Sequence, residues 1–457
     1  MHCFFLKLIV KFVDIPISQQ TFSPLIFLLV AFNLILNLKF IVISYLFQNF
    51  SVSSASVAPS EEALGGYSIS TSGGNVKVTL LSIEWGSTKG GLSTINRELA
   101  IQLAKHENLE VCMYLSEFSD KDQKEASDCR IILLKADKKP GYDDPIDWLA
   151  SVPRDHQMDI VIGHAIHLGK QVPHLKESHP ECKWIQVVHT DPEELAMFKT
   201  YPCPIAKGGK KHDAERELCE RADQVVAIGP KLADTSSRYC ESEKILVITP
   251  GIFSTFSHIK QDTKERKEFH VLVFGRGDIE DFQVKGYDIA AQAVANLKDE
   301  EHPVKLVFVG APTGKEEQIT EMLLNQGISR RQLIVRSAKE RKELDQEFKA
   351  ADLVIMPSRT EGFGLSALEA LSAGLPVRVC SHSGLGQALQ ELTFGENVVL
   401  NSDDPAEWAK EIKAVRRKSR NLRLKEAIEL REKYATEYQW ERQCGTLVQR
   451  MLEMVKC

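Results

Sequence analysis

Runs of apolar residues alternate with helix-length segments along most of this 457-residue chain. Several runs are continuously apolar, which is typical of parallel strands that are buried on both faces. In the first half of the chain the runs predict seven strands: 76–83, 110–115, 129–134, 158–162, 183–188, 224–228 and 245–248. Helical candidates such as 92–105 and 214–221 lie between them.

The polar segment 257–267 interrupts this alternation, which then restarts. The second series predicts six strands: 269–274, 304–309, 333–335, 353–356, 377–380 and 398–400. Two successive βα series predict an α/β protein with two doubly wound, Rossmann-like domains that face each other across a cleft. We place these domains at 76–256 and 268–404, followed by charged helices at 405–457.

Residues 1–50 form a separate, apolar N-terminal segment, in which 24–47 is long enough to cross a bilayer. Lys7 and Lys11 precede this stretch, and the next basic residue after it is Lys77, which favours a cytosolic N-terminus. The pattern predicts a single-pass transmembrane anchor and hence a membrane partner. The alternatives are a weak anchor, a hydrophobic leader with no structural role, or a mistaken gene start, and the alternative localisation is cytoplasmic. Residues 51–75 are rich in Ser, Gly and Ala and predict a flexible linker.

The overall charge excludes one class of partner. The formal net charge is −6, so no basic field favours nucleic acid, and any phosphate must be bound by local groups. The ten cysteines show neither a C-x-x-C pair nor the spacing of zinc ligands, which mildly favours a reducing compartment and buried structural thiols.

The segment 358–371 carries the strongest chemical signal and reads SRTEGFGLSALEAL. It follows an apolar run and predicts a strand, a glycine loop and the N-terminus of a helix, where free backbone N–H groups can bind an anion. Glu361 lies in the loop, and Glu369 follows on the helix with seven residues between them. A carboxylate among leucines requires a polar partner, so both glutamates are candidate site residues.

This segment resembles the nucleotide-sugar loop of family-4-type retaining glycosyltransferases, which carry two glutamates at this spacing around a Gly-Phe-Gly loop. The resemblance covers roughly residue 76 to the C-terminus and implies the GT-B fold. It implies that Glu361 contacts the transferred sugar and that Glu369 binds the ribose hydroxyls. Four residues would line the donor diphosphate, mostly through backbone N–H groups: Gly362, Phe363, Gly364 and Leu365.

The same family binds the diphosphate with an Arg/Lys pair, and Arg276 and Lys285 match it, although the gap between them is longer than usual. Its first-domain glycine loop matches Gly90 and Gly91, in the sequence Lys89-Gly90-Gly91-Leu92. His189 occupies the position of a histidine that reaches the sugar across the cleft.

His164 and His167 are weaker candidates for the acceptor side. Two positions depart from the family pattern: Phe253 stands where an acidic residue is common, and Gln387-Ala388 where a glutamate is common. These departures affect the identity of the transferred sugar more than the class of reaction.

The sequence therefore predicts a retaining, hexosyltransferase-like enzyme with a nucleoside-diphosphate-sugar donor and an unknown glycan, lipid or small-molecule acceptor. His189 and Glu361 are its predicted catalytic residues, and neither a metal ion nor another cofactor is expected. Two alternatives stay open at this stage: a catalytically silent nucleotide-sugar-binding module, and another GT-B enzyme such as a sugar-nucleotide epimerase.

Overall fold

The computed structural model describes residues 75–87, 90–297 and 303–456, which form two parallel β-sheets. The first sheet contains β1 to β7: Val76–Leu81, Leu109–Leu115, Ile131–Lys135, Ile160–His164, Lys183–Val188, Gln224–Ile228 and Ile245–Ile248. The second contains β8 to β13: Phe269–Phe274, Val304–Ala311, Leu333–Ser337, Leu353–Met356, Val377–Cys380 and Val399–Leu400. The prediction of an α/β protein with two parallel sheets is confirmed.

Helices connect the strands, as parallel pairing requires. Around the first sheet lie α1 to α8: Gly91–Leu103, Asp120–Asp128, Ala165–Gly169, Val172–Ser178, Pro192–Ala196, Pro204–Arg221, Pro230–Ser236 and Ser254–Ser257. Around the second lie α9 to α13: Tyr287–Ala295, Glu316–Leu324, Leu344–Ala350, Leu365–Ser372 and Gly384–Gln390. The tail forms α14 to α16: Pro405–Arg417, Arg420–Glu437 and Trp440–Lys456.

Both sheets have a doubly wound strand order. The first runs β3-β2-β1-β4-β5-β6-β7 and the second β10-β9-β8-β11-β12-β13. In each sheet the strand order reverses beside the first strand. The loops after β1 and β4 therefore lead to opposite sides of the first sheet, and the loops after β8 and β11 lead to opposite sides of the second. A crevice opens at such a point, and ligands of α/β proteins bind there.

Every predicted strand is present, with end points shifted by a few residues. The helix predicted at 214–221 begins ten residues earlier, at Pro204. Gly208 and Gly209 interrupt the apolar pattern there, so the pattern does not predict the first part of this helix. The structure explains Gly208, because a Cβ at this position would lie 2.3 Å from the Cβ of Ala196. The missing side chain allows α5 and α6 to pack closely.

The predicted membrane anchor has to be corrected. Within residues 75–87, 90–297 and 303–456, no helix is both long enough and apolar enough to span a bilayer. The longest helices, Pro204–Arg221 and Arg420–Glu437, carry many charges, which are costly inside a membrane. The apolar segment 1–50 and its predicted span 24–47 lie outside the described residues. We therefore retain neither the transmembrane assignment nor the membrane partner.

The tail helices join the two sheets. Helix α16 packs against α1 and β7 of the first sheet, while α15 contacts α12 beside the second. The side-chain amide of Gln443 exchanges two hydrogen bonds with the backbone of Thr249, at 2.6 and 2.7 Å. The hydroxyl of Tyr434 donates to the carbonyl of Pro250 at 2.7 Å. The turn after β7 is thus bonded directly to the tail.

A buried ion cluster attaches α15 to the second sheet. Asp352 is completely buried, and its Oδ1 accepts from Arg423 at 3.0 Å and also from Arg420. Its Oδ2 accepts the backbone N–H of His270 at 2.9 Å. Glu265 adds a second carboxylate at Arg423, 2.8 Å from its Nη2, so the charge of Asp352 matters most for the buried guanidinium of Arg420.

We predict that Asp352→Asn lowers the free energy of unfolding by about 3–5 kcal/mol, because buried Arg420 loses its paired carboxylate and Arg423 keeps only the exposed Glu265. Urea denaturation followed by circular dichroism measures this change. Glu429→Gln is the matched control, since Glu429 is an exposed partner of Lys425 on the same helix, at 3.9 Å. Its effect should stay within about 0.5 kcal/mol. Equal effects of the two substitutions would contradict the role of the cluster.

Candidate active site

The loop after β11 carries Glu361 to the carboxyl end of the second sheet. Glu361 forms an isolated parallel bridge with Ser383, and its N–H donates to the carbonyl of His382 at 3.2 Å. Gly364, which precedes α12, has a φ of +105°, a conformation that strains any residue with a side chain. A Cβ there would also lie 2.6 Å from Cε of Met356. Glycine is therefore required for the turn from strand to helix.

Lys285 pairs with Glu361. Its Nζ lies 2.8 Å from each of the two carboxylate oxygens, and both side chains are partly buried. The next residue, Gly286, has a φ of +63°, and a Cβ there would lie 1.9 Å from the carbonyl oxygen of Pro357. The turn that carries Lys285 therefore packs directly on the start of the Glu361 loop. The structure brings these two predicted site residues together.

Arg276 is placed differently. Its side chain is 69% exposed, with Nε 3.2 Å from Asp278 and Nη2 3.7 Å from Asp281. Asp281 also accepts from Lys199, which lies between α5 and α6. These residues, with Lys315, line a cavity of about 410 Å³. Asp278 and Asp281 lie within the lengthened gap between Arg276 and Lys285, so the extra residues supply carboxylates that engage the arginine.

Glu369 is buried and faces a cation that the sequence analysis did not single out. Oε1 of Glu369 lies 3.0 Å from Nη2 of Arg341, and Nη1 of Arg341 lies 4.0 Å from Oε1 of Glu98 on α1. The guanidinium stacks over the rings of Phe253 and Phe256, at 4.4 and 5.0 Å from their centroids. Phe253, one of the departures from the family pattern, thus supports a cation.

The surroundings of Glu369 change its acidity. Burial raises the pKa of Glu369 from 4.5 to about 7, with a smaller contribution from the nearby Glu98 carboxylate, while Arg341 acts in the opposite direction. Burial also raises the pKa of Glu98. Near neutral pH, Glu369 is therefore balanced between its neutral and ionised forms.

His189 lies just after β5 and pairs with His164. Nε2 of His189 lies 2.9 Å from Nδ1 of His164, and the ring centroids are 5.2 Å apart. Burial lowers the pKa of both imidazoles well below the usual range, so both are neutral at pH 7. Nε2 of His164 is buried without a hydrogen-bond partner among the described residues. His167, the other weak candidate, is exposed on α3.

Glycines allow the elements of the two sheets to meet. A Cβ on Gly362 would lie 2.1 Å from the carbonyl oxygen of His189, and one on Gly229 would lie 2.6 Å from the ring of Phe363. Gly229 has a φ of +86° and follows β6. Phe363 is buried in this contact, which agrees with a packing role.

The predicted first-domain loop lies at the same contact. Gly90 has a φ of +106° and precedes α1, and a Cβ on Gly91 would lie 3.1 Å from Cδ1 of Leu365. Lys89 lies outside the described residues. The structure therefore places Gly91 and Leu365, which were predicted from separate motifs, against each other.

Sequence analysis missed Arg341, Glu98 and Lys231. Lys231 follows Gly229 on α7, and its ammonium lies within hydrogen-bond reach of the carbonyl of Glu361, at 3.2 Å. Its one sequence signal is its position directly after a buried strand, at the carboxyl end where sites form. Arg341 and Glu98 carried no such signal, because they meet Glu369 through contacts between distant segments.

The site is thus a set of local ion pairs beside the N-terminus of α12. It offers acceptor groups in Glu361 and Glu369 and cations in Lys285 and Arg341, while the ammonium of Lys231 is bonded to the backbone of Glu361. In the described part of the chain, no group of three or more His, Cys, Asp or Glu side chains is arranged to hold a metal ion. The arrangement can bind an anion and hydroxyl groups in one place.

We predict that Gly362→Ala destabilises the protein by about 1–3 kcal/mol, because the added methyl meets the backbone of His189 and the two segments must separate. The midpoint of urea denaturation measures this. Gly209→Ala in α6 is the matched control, since its Cβ would enter open space. The control should be neutral or stabilising by up to about 1 kcal/mol. A Gly362→Ala protein as stable as the control would refute the close contact.

Comparison with known proteins identifies the family of this chain. The family model described as "Family 4 Glycosyltransferase in conflict systems" matches residues 79–447. The D-inositol 3-phosphate glycosyltransferase of Corynebacterium urealyticum is 28% identical over 318 residues, which cover 65% of this chain and 72% of that protein. The matched part of the Xylanimonas cellulosilytica protein of the same name is shorter, at 57% of its length.

Solved structures match the fold. Sucrose-phosphate synthase from Thermosynechococcus elongatus superposes with a TM-score of 0.65 at 16% identity, over 83% of this chain and 99% of that one. Anabaena HepE in complex with UDP and glucose gives a TM-score of 0.60 at 16% identity, over 84% and 100%. The two parallel sheets thus match those of GT-B glycosyltransferases. Since the family model covers most of the chain, this protein belongs to the family 4 glycosyltransferases described from conflict systems and is a glycosyltransferase.

Proposed function

We propose that this enzyme is a retaining glycosyltransferase that takes its sugar from a nucleoside diphosphate sugar without a metal ion. The observation that carries the proposal is the pairing of Lys285 with Glu361 beside the N-terminus of α12. A cation, a carboxylate and free backbone N–H groups there meet the needs of a sugar linked to a diphosphate.

The leaving diphosphate gains negative charge as the sugar departs, so fixed positive groups accelerate the step. An ammonium has three donors, and Lys285 uses two of them on Glu361, which leaves one for a phosphate oxygen. The first N–H groups of α12 and the helix dipole add to this. Arg276, at the rim, supplies the second cation once phosphate competes with Asp278 and Asp281.

The two glutamates bind hydroxyl groups. An ionised carboxylate only accepts hydrogen bonds, which suits a diol. Glu361 would hold hydroxyls of the transferred sugar, and Glu369 those of the ribose. His189 is neutral, so it can contact a sugar hydroxyl without adding a positive charge to the site.

The transfer takes place on one face of the sugar. The bond between the anomeric carbon and the leaving phosphate oxygen breaks, and the acceptor oxygen bonds to that carbon from the same side. The acceptor proton moves to the leaving phosphate oxygen. No side chain acts as a nucleophile, and the configuration at the anomeric carbon is retained.

The domain roles belong to the same proposal. Residues 76–256 form the acceptor-side domain, 268–404 the nucleotide-sugar-binding domain, and 405–457 the closing helices. The acceptor is a glycan, a lipid or a small molecule. The names of the curated relatives make D-inositol 3-phosphate a useful first acceptor to test.

We predict that the full chain binds one of UDP, GDP and ADP, or a sugar derivative of it, and that Lys285→Met and Glu369→Gln each weaken this binding tenfold or more, by about 1.4 kcal/mol. Isothermal titration calorimetry measures the affinities. Lys425→Met, on the exposed face of α15, is the control and should bind like the parent.

The same proteins test the reaction. Transfer to an acceptor should persist in EDTA, and NMR of the product should show the anomeric configuration of the donor. A folded protein that binds no member of the panel would overturn the proposed donor. Inversion of the anomeric configuration would overturn the retaining mechanism, and loss of activity in EDTA would overturn metal independence.

We predict that donor binding strengthens with pH between 6 and 8. The pKa of Glu369 is raised to about 7, so Glu369 becomes ionised across this range. The ionised carboxylate is the form that accepts hydrogen bonds from the ribose diol. The ionised fraction rises from about one tenth to about nine tenths, which gives a roughly tenfold gain in affinity. Titrations with the intact nucleotide sugar avoid ionisation of a terminal phosphate. The Glu369→Gln protein should show a flat profile, and a flat profile for the parent would contradict the assignment.

A further inference from the structure

Lys231 lies in the first sheet's half of the structure but is bonded mainly to the second. It is the second residue of α7, directly after Gly229 and Pro230, at the carboxyl end of β6. Its side chain is about nine-tenths buried. Burial of an ammonium is costly unless hydrogen bonds and an opposite charge compensate, so its partners define its role.

Four acceptors surround its Nζ. The carboxylate of Glu194 lies at 2.7 Å, the carbonyl of His382 at 2.7 Å, the hydroxyl of Thr360 at 2.9 Å and the carbonyl of Glu361 at 3.2 Å. Glu194 belongs to α5 beside the first sheet and supplies the counter-charge. The other three acceptors belong to the second sheet's loops.

Those three acceptors enclose the backbone of Glu361. Thr360 precedes it, and His382 accepts the Glu361 N–H at 3.2 Å, beside the bridge between Glu361 and Ser383. The ammonium therefore binds both segments that fix the Glu361 backbone. Its own position is fixed from the opposite side by Glu194, whose N–H donates to Asp191 at 3.1 Å.

We propose that Lys231 is a positioning residue for sugar transfer: it ties the backbone of Glu361 to the first-sheet half and so aligns the carboxylate across the cleft. This inference rests on the proposed function of Glu361. Lys231 reaches the reaction through the Glu361 backbone, while the phosphate and ribose contacts are assigned to Lys285 and Glu369. Its loss should therefore reduce turnover and leave nucleotide binding nearly intact.

The experiment compares the full-length parent with Lys231→Met, Lys231→Arg and Lys176→Met. Methionine is unbranched and only one atom shorter than lysine, and it removes the charge, while arginine keeps the charge. Lys176 is the matched control, because it is a partly exposed lysine of the same half that pairs with Asp223 at 3.2 Å. Three quantities are measured: the urea midpoint, the Kd of the nucleoside diphosphate selected by the binding panel, and kcat and KM for release of that diphosphate from the donor sugar.

For Lys231→Met we expect kcat to fall by about 10- to 100-fold, as for a small misplacement of a reacting group. The Kd for the nucleoside diphosphate should stay within about threefold, because its contacts are intact. Lys231→Arg should recover part of kcat, and Lys176→Met should match the parent. An unchanged kcat in folded Lys231→Met, or a loss of nucleotide affinity as large as the loss of kcat, would overturn the proposal.

Two further measurements keep the test decisive. If Lys231→Met does not fold, Thr360→Val removes one of the four acceptors, and an unchanged kcat in that variant would overturn the proposal. Amide hydrogen exchange of peptides that contain Glu361 needs no substrate, and it should be faster in Lys231→Met. An unchanged exchange rate would refute the proposal that Lys231 holds the Glu361 backbone. A parent that neither binds nor turns over a nucleotide sugar would instead overturn the proposed function, whatever the exchange result.

Discussion

The close approach of two backbones at Gly362 and His189 is the constraint on which the rest of the site depends. A single Cβ on Gly362 would lie 2.1 Å from the His189 carbonyl oxygen, so position 362 cannot carry a side chain at this contact. Gly229 against Phe363 and Gly91 against Leu365 are the reverse case, with glycine on the first-sheet side. Glycines thus allow backbone groups from both halves to enter one small volume, where a ligand can contact both.

The electrostatics of that volume are local. The chain as a whole is acidic, yet each carboxylate of the site has a cation beside it: Lys285 for Glu361 and Arg341 for Glu369. Both pairs are at least partly buried, and for Glu369 the cost of desolvation outweighs the attraction of Arg341, so its pKa is raised. A ligand that brings phosphate and hydroxyl groups must therefore compete for groups that are already partnered. A ligand that has only phosphate or only hydroxyl groups breaks an ion pair and leaves one of its charges without a partner. The site therefore selects against such a ligand.

Strand positions could be predicted from the sequence because buried parallel strands are continuous apolar runs, as in 224–228 and 353–356. The Glu361 loop could be recognised because glycine and turn chemistry are local. The partners of these residues could not. Arg276 turns to Asp278 and Asp281, which are close in sequence, but the sequence does not show which way its side chain turns. Arg341 reaches Glu369 through folding of segments that no local pattern connects. The membrane assignment was wrong, since no helix among the described residues is long and apolar enough to span a bilayer, and the segment on which it rested, 24–47, lies outside them.

The packing of the last helix on the first sheet has a consequence for synthesis of the protein. Helix α16 covers α1, and Lys105 and Glu441 are paired although they are 336 residues apart. The ribosome makes about 5–20 residues per second, so the apolar face of α1 waits on the order of tens of seconds for Leu447 and its neighbours. The outer layer over α1 is therefore completed only after the strands of both sheets have been synthesised.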